Sequence, residues 1–457
     1  MSSAAADISP TPPAEADPAA IMPKLVTTDV NTLVVGRKLR YPIYGDNGEM
    51  LLAEKAVITE EFAQRLKQRA IQTVQVHSDD LGHVTFRPLD AANIQNVQLD
   101  LAIAQQIDSI IDDGLLFVAN SEPAVLTQME WHGKNGYNRQ RYLDRINRNK
   151  ETSVFVDNLM RNALQGKRID CGEVTRLTAG FLNDITGDVD GSLASAIDSV
   201  GQTAVADHSV KMTLQGMAMG VAMGLDPPNV RTLGLAALVH DWGMAQVPRH
   251  ILDAPRWLTE EERYEIQKHP MYTMRLLDKI CGVPQVVPLI AYQVHERPNG
   301  SGYPQRRTGD RIHQLAAILS VADAYCAMVA RRPFRPPLIP HAAITCLIRH
   351  AAIGNFDPRA VRALLKVQSL FAIGSLVTLS DGSVARVLRS NGDKYAQPIV
   401  RVLQDNEGHP LPEDSKAAII DLAEEGIDVV QALPAPGSHA INLTPEIFGM
   451  GAQLPVR

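Results

Sequence analysis

With 457 residues, the chain is longer than one hydrophobic core usually organises, so more than one folding unit is expected. A net charge of −7, with 21% charged residues, excludes a general nucleic-acid binder that works through diffuse positive potential. Four scattered cysteines (Cys171, Cys281, Cys326 and Cys346) lack the spacing of a disulfide scaffold or thiolate zinc site and fit a reducing compartment. Apolar runs are broken before membrane-spanning length, and no basic-then-apolar leader opens the chain, so a soluble cytoplasmic protein without a membrane partner is expected.

Residues 1–24 are rich in Ala, Pro and acidic groups and cannot bury enough surface to offset chain entropy, so a disordered tail is expected. A small α/β module follows over 25–90. Strands are expected at 32–35 and 38–44, a hairpin turn at Gly45-Asp46-Asn47-Gly48 before a strand at 49–52, a helix near 59–69 and a strand at 72–76. From 91 to 199, apolar residues such as Leu99, Ile103, Ile107 and Ile110 recur at helical spacing, which predicts a helical connector or regulatory region. Its stretch 134–150 carries Lys134, Arg139, Arg141, Arg145, Arg148 and Lys150 beside Tyr137 and Tyr142. Acidic neighbours favour a solvated helix face there over nucleic-acid contact. A helical domain is expected over 200–370, a small β module of barrel or meander type over 371–432, and a flexible tail over 433–457.

The apolar run Leu233–Val239 ends in His240-Asp241, so both side chains are expected to leave a buried helix end toward the interior. An ionised carboxylate is costly there unless a positive group meets it. Asp323 poses the same problem in the middle of an apolar helix, with no Lys or Arg within a turn, which makes a metal a simpler neutraliser than an ion pair. His208 is placed at the start of a Met-rich helix. His269 falls at the end of a helix launched by the Thr259 and Glu262 capping box, and His295 at the end of one starting near Pro284. Neutral imidazoles with carboxylates suit zinc, iron or manganese, and the ordered set is more specific than any single position.

Over roughly residues 205–370 these residues resemble the HD-GYP subfamily of HD-domain phosphohydrolases. The resemblance is carried by His240-Asp241-Trp242-Gly243, Val247-Pro248, His269-Pro270, His295-Glu296-Arg297, Asn299 through Gly302-Tyr303-Pro304, Val321-Ala322-Asp323-Ala324, Arg332-Pro333-Phe334-Arg335 and Phe356-Asp357-Pro358. It implies a mainly α protein, an HD-type helical bundle with a small α/β module N-terminal and a small β module C-terminal. It also implies a bacterial cyclic di-GMP signalling protein that hydrolyses cyclic di-GMP to linear dinucleotide or GMP with one or two divalent transition metals. His208, His240, Asp241 and Asp323 would hold one metal, Asp241 would bridge, and His269 with His295 would hold the second. His240 and Asp241 are the catalytic candidates, and Arg332 and Arg335 candidate phosphate clamps beside the Gly302-Tyr303-Pro304 loop. A protein partner at that loop and a homodimer are further candidates.

Several positions depart from the family pattern. Val294 stands where a second adjacent histidine is usual, Met244 replaces a lysine three residues after Asp241, and Ala204 replaces a glutamate of trinuclear members. Asn299, Cys326 and Arg331 replace acidic residues. Two readings follow. One is a working phosphodiesterase with a simplified metal site, whose open coordination suits catalysis. The other is a catalytically impaired domain that binds a nucleotide or partner and relays that state without turnover.

Overall fold

A computed structural model describes residues 25–30, 33, 38–69, 71–84, 111, 116–199, 204–254, 256, 258–332, 337–412 and 418–434. Among them, those up to 84 form one compact unit and those from 111 to 434 a second. The protein is mainly α, with one small sheet in the first unit and one near the C-terminal end of the second. Most of the strand expected at 32–35, nearly all of the expected tails and the first part of the connector lie outside the described residues, and Leu433, expected to open the C-terminal tail, instead ends a strand.

In the first unit, β1 (Leu25–Asp29), β2 (Ile43–Tyr44), β3 (Met50–Leu52) and β4 (Thr73–His77) form a sheet of order β1-β4-β2-β3. Ile43, Val74 and Val76 meet Ile58 and Leu66 in its core. The Gly45–Gly48 turn closes the β2–β3 hairpin through the Gly45 N–H, which donates to the Glu49 carbonyl at 2.8 Å. The strand expected over 38–44 is reduced to β2, because Leu39 spends its backbone groups on Lys55 and Ala56 in the following loop.

The second unit is a helical bundle whose starts are set by acidic or amide caps. Asn138, Asp170, Asp188, Asp226 and Asp357 each accept a backbone N–H at the first turn of the helices 139–164, 171–187, 189–198, 227–239 and 358–368. Asp226 also accepts the Ser121 and Glu122 N–H groups, which fixes the 116–128 segment to the bundle. The helices 204–222, 227–239 and 314–329 are buried on nearly every side, as their near-continuous apolar sequences require. Short β5 (Ile169–Asp170) and β6 (Ile280–Cys281) pair in parallel at the edge of the bundle.

The expected solvated face of 134–150 is corrected at Arg145 and Asn149. Arg145 is buried and meets Asp184 at 3.4 Å and Asp188 at 3.9 Å, whereas Arg139, Arg141 and Lys150 are exposed as expected. Strands β7 (Leu376–Leu379), β8 (Val384–Arg389), β9 (Ile399–Gln404), β10 (Ile419–Asp421) and β11 (Val429–Leu433) make an antiparallel sheet of order β10-β9-β8-β7-β11. This sheet is tied to the bundle by Arg389, whose guanidinium donates to Asp188 at 2.8 Å and to the Asn135 carbonyl at 2.8 Å and lies over the Tyr137 ring. Among the described residues, no helix is long and apolar enough to cross a membrane.

Candidate metal centre

Five segments bring the metal-type residues to one place. His208 lies in the second turn of the 204–222 helix, His240 is the C-cap of the 227–239 helix, and Asp241 immediately precedes a 3-10 turn at Trp242–Gln246. His269 opens the 269–277 helix instead of closing the 260–267 helix, because Pro270 suits the first turn of a new helix and lacks the N–H a continuing one needs. His295 follows the 286–293 helix, and Asp323 sits in the middle of the 314–329 helix.

All six side chains are buried. His208 Nε2 lies 3.0 Å from Asp323 Oδ1 and 4.0 Å from Asp241 Oδ2. His240 Nε2 and His269 Nε2 lie 3.3 Å and 3.2 Å from Asp241 Oδ1. His295 reaches Asp241 Oδ1 at 3.8 Å through Nε2 and Asp323 Oδ2 at 3.5 Å through Nδ1. Two overlapping sets, His208 with His240 and Asp323, and His240 with Asp241 and His295, place their donor atoms within 4.8 Å of one another.

The donor chemistry fits a cation. His240 and His269 each give an Nδ1–H to the carbonyl three residues back, Ala237 and Ile266, both at 2.8 Å, so the Nε2 lone pair is the face turned to Asp241. A lone pair beside a carboxylate oxygen is repulsive unless positive charge lies between them. Burial holds His269 down to about 4 and His295 well below the ordinary histidine range, so both rings are neutral donors near neutral pH. Burial works against ionised Asp323. The hydrogen bond from His208 leads the interactions that outweigh it and hold the carboxyl well below its usual range.

The next layer fixes these groups. Thr273 Oγ1 donates to the His240 carbonyl at 2.8 Å and accepts the Gly243 N–H at 2.9 Å, tying the His240–Gly243 turn to the helix that begins with His269. A Cβ on Gly243 would come within 2.0 Å of the His269 carbonyl, so only glycine fits this crossing. Tyr303 stacks on the His295 ring at 4.9 Å with planes 7° apart, and its buried hydroxyl has no hydrogen-bond partner among the described residues. Gly302 and Pro304 are buried beside it. Arg332 is half-buried within electrostatic reach of Asp323, its buried Nη2 has no hydrogen-bond partner among the described residues, and Arg335 lies outside them. Asn299 pins the loop by donating to Asn355 at 2.5 Å and accepting the Ser301 N–H at 3.1 Å.

Comparison with known proteins shows what the two parts of the second unit are similar to. Residues 200–360 match the HD domain model, and residues 376–432 match a KOW domain associated with HD domains. The segment that carries the buried histidines and aspartates is thus the one similar to HD domains. Cyclic di-GMP phosphodiesterase PA4108 of Pseudomonas aeruginosa is 29% identical over 272 residues, 59% of this chain and 64% of that protein. The cyclic di-GMP phosphodiesterase response regulator RpfG of Xanthomonas campestris pv. campestris is 38% identical over 146 residues, 32% of this chain and 38% of its own. The matched segments thus cover less than two thirds of either relative. Among solved structures, Bd1817, a HDG"Y"P protein from Bdellovibrio bacteriovorus, aligns with a TM-score of 0.40 and 18% identity over 74% of this chain and 98% of its own.

HD domains are metal-dependent, and the departures noted in the sequence now have surroundings. Val294 is fully buried at the end of the 286–293 helix, and Met244 packs with Val247, Ile251 and Ile266 in an apolar cluster. Arg331 is exposed and Cys326 buried. Sequence reasoning missed Thr273, which ties the His240–Gly243 turn to the His269 helix, and Glu296 and Gln293, whose side chains bond backbone of residues 305–313. Glu296 stands inside the His295-Glu296-Arg297 motif of the resemblance, whereas Thr273 carries no local signal.

Proposed function

We propose that this HD domain is a metal-dependent phosphodiesterase that hydrolyses cyclic di-GMP to linear dinucleotide or GMP. The observation that carries the reading is the convergence of His208, His240, His269 and His295 with Asp241 and Asp323 in one buried centre. It is supported by relatives whose names specify cyclic di-GMP. His208, His240, Asp241 and Asp323 would hold one divalent ion, and Asp241, His269 and His295 would hold a second. Nitrogen-rich donors favour iron, manganese or zinc over calcium or magnesium.

Such ions, when bound, polarise phosphoryl oxygens and acidify the attacking water. The protein's own part is positional. The Nδ1–H bonds to Ala237 and Ile266 hold two rings at fixed angles, and Thr273 holds the turn that carries Asp241. Tyr303 and Arg332 bring buried donors suited to phosphate oxygens. Val294 leaves one side of the His295 end without a donor, which suits an open coordination position. Val294 and Met244 also motivated a regulator that binds without turnover. The retained six-residue set and the phosphodiesterase names of the relatives weigh against it.

A protein partner at the Gly302-Tyr303-Pro304 loop would meet exposed Ser301 and residues 308–311, since the motif itself faces inward. A homodimer is a further proposal that light scattering of the full chain decides. The catalytic proposal is tested by incubating anaerobically purified, folded protein with cyclic di-GMP and iron, manganese or zinc. Release of linear dinucleotide that stops with Asp241→Ala is expected. Folded, metal-loaded protein that leaves cyclic di-GMP intact would overturn the reading.

A further inference from the structure

The carboxylate of Glu296 is buried beside the metal centre yet takes no part in the cluster of ligand-type residues. Its two oxygens are spent on the backbone beyond the loop: Oε1 accepts the Gln305 N–H at 2.8 Å and Oε2 the Arg307 N–H at 2.9 Å. The same five-residue stretch holds the far side of the loop. Gln293 accepts the His313 N–H at 2.7 Å and donates to the Arg311 carbonyl at 2.9 Å. Between these anchors, the Tyr303 N–H donates to the His295 carbonyl at 3.2 Å. Gly302 lies so close to the chain that a Cβ there would come within 2.4 Å of the Arg297 nitrogen. The segment from 302 to 307 is therefore strapped onto residues 293–297, with the Tyr303 ring on His295 and its hydroxyl buried without a hydrogen-bond partner among the described residues.

A buried carboxylate whose hydrogen bonds, among the described residues, go to backbone sets geometry: it offers one oxygen to each of two separate N–H groups, where an amide has a single oxygen and must turn its NH2 toward the other N–H. Resting on the phosphodiesterase reading, we infer that Glu296 is a positioning residue. By clamping the Gln305 and Arg307 N–H groups it holds Tyr303 against His295, where the phenol donates to a phosphate oxygen of the bound dinucleotide. The clamp would act on the reacting complex through Tyr303 and not through the metal.

The test compares wild type, Glu296→Gln, Glu296→Asp and Tyr303→Phe for bound metal, for kcat and KM with cyclic di-GMP, and for trypsin cleavage after Arg306 and Arg307 followed by mass spectrometry. Glu296→Gln should keep wild-type metal content, lose kcat roughly 10- to 100-fold and be cleaved faster at the loop. Glu296→Asp, with both acceptors retained, should fall between it and wild type. Tyr303→Phe should lose kcat/KM by a similar factor with cleavage unchanged. Wild-type turnover and cleavage in Glu296→Gln, or loss of its metal with cleavage unchanged, would overturn the clamp. Wild-type kcat/KM in Tyr303→Phe would overturn the donation. A wild-type protein without turnover would count against the phosphodiesterase reading alone, because loop cleavage still decides whether Glu296 sets the loop.

Discussion

The Nε2 atoms of His269 and His295 stand 2.9 Å apart, although His269 already gives its Nδ1 proton to the Ile266 carbonyl. Its Nε2 is thus a lone pair, and His295, with Nδ1 at 3.5 Å from Asp323 Oδ2, must either donate a proton across the gap or share a cation with it. The proposed metal centre takes the second course. Replacing either histidine with alanine should remove bound metal and lower turnover by at least ~100-fold, as read by elemental analysis and a dinucleotide release assay. Unchanged metal content in both variants would remove these two residues from the ligand set.

Chelation should destabilise the domain, because ions bound only by the folded state stabilise it by mass action. At a free ion concentration ~100 times the dissociation constant the effect is ~2.7 kcal/mol. Thermal unfolding with and without EDTA, followed by re-addition of manganese or zinc, should show a Tm that falls and recovers. A Tm indifferent to both treatments would contradict the prediction.

Gly243→Ala should damage both stability and site. The added Cβ meets the His269 carbonyl at 2.0 Å and the Thr273 nitrogen at 2.6 Å, so one of the two crossing segments must move. Overpacking of this kind costs about 1–3 kcal/mol, and the displaced turn carries Asp241. Denaturant unfolding and metal content should both fall, and a variant with wild-type values of each would show that the crossing tolerates a side chain.

Met244→Lys, the change that would bring back the cation usual in the family, should not raise activity. Met244 is buried among Val247, Ile251 and Ile266, where an ammonium without a partner costs roughly 3 kcal/mol or more. A lower Tm with turnover no higher than wild type is expected. A faster, equally stable variant would mean that a side chain at 244 reaches the site.

Asp190 gives the stability a defined pH dependence. Burial pushes its carboxyl up to about 6, against which Arg389 and two bonds from Ser390 act in the other direction. The folded state therefore holds this proton more tightly than the unfolded chain, whose carboxyl titrates near ~3.9, and stability falls as pH rises through the window from about 4 to about 6. The contribution is on the order of 3 kcal/mol and is complete below that window. Neighbouring Asp188 runs the opposite way: burial would raise it, but the Arg389 hydrogen bonds hold it low, so its share is lost only in stronger acid. Asp190→Asn should flatten the change in Tm between pH 4 and 6, and an unaltered slope would show that Asp190 does not carry it.

Much of the centre was legible in the sequence because burial and charge conflict visibly there. An apolar run ending in His240-Asp241, and Asp323 inside an apolar helix, both require a positive partner, and the fold brings them to His208, His269 and His295. What could not be read depends on distant partners. Arg145 looked like a surface residue until Asp184 and Asp188, about 40 positions on, covered it. Arg389 serves Asp188 from 201 residues away, and Thr273 reaches His240 across 33. The 38–44 strand was overextended because alternation does not reveal that Leu39 pairs with a loop.

The most direct test of a metal centre is elemental analysis of anaerobically purified full-length protein beside its Asp323→Ala and Asp241→Ala variants, with circular dichroism to confirm folding. The account predicts at least one equivalent of iron, manganese or zinc in the wild type and a clear loss in both variants. Folded wild-type protein that holds none of these ions and takes up none when they are supplied would contradict it.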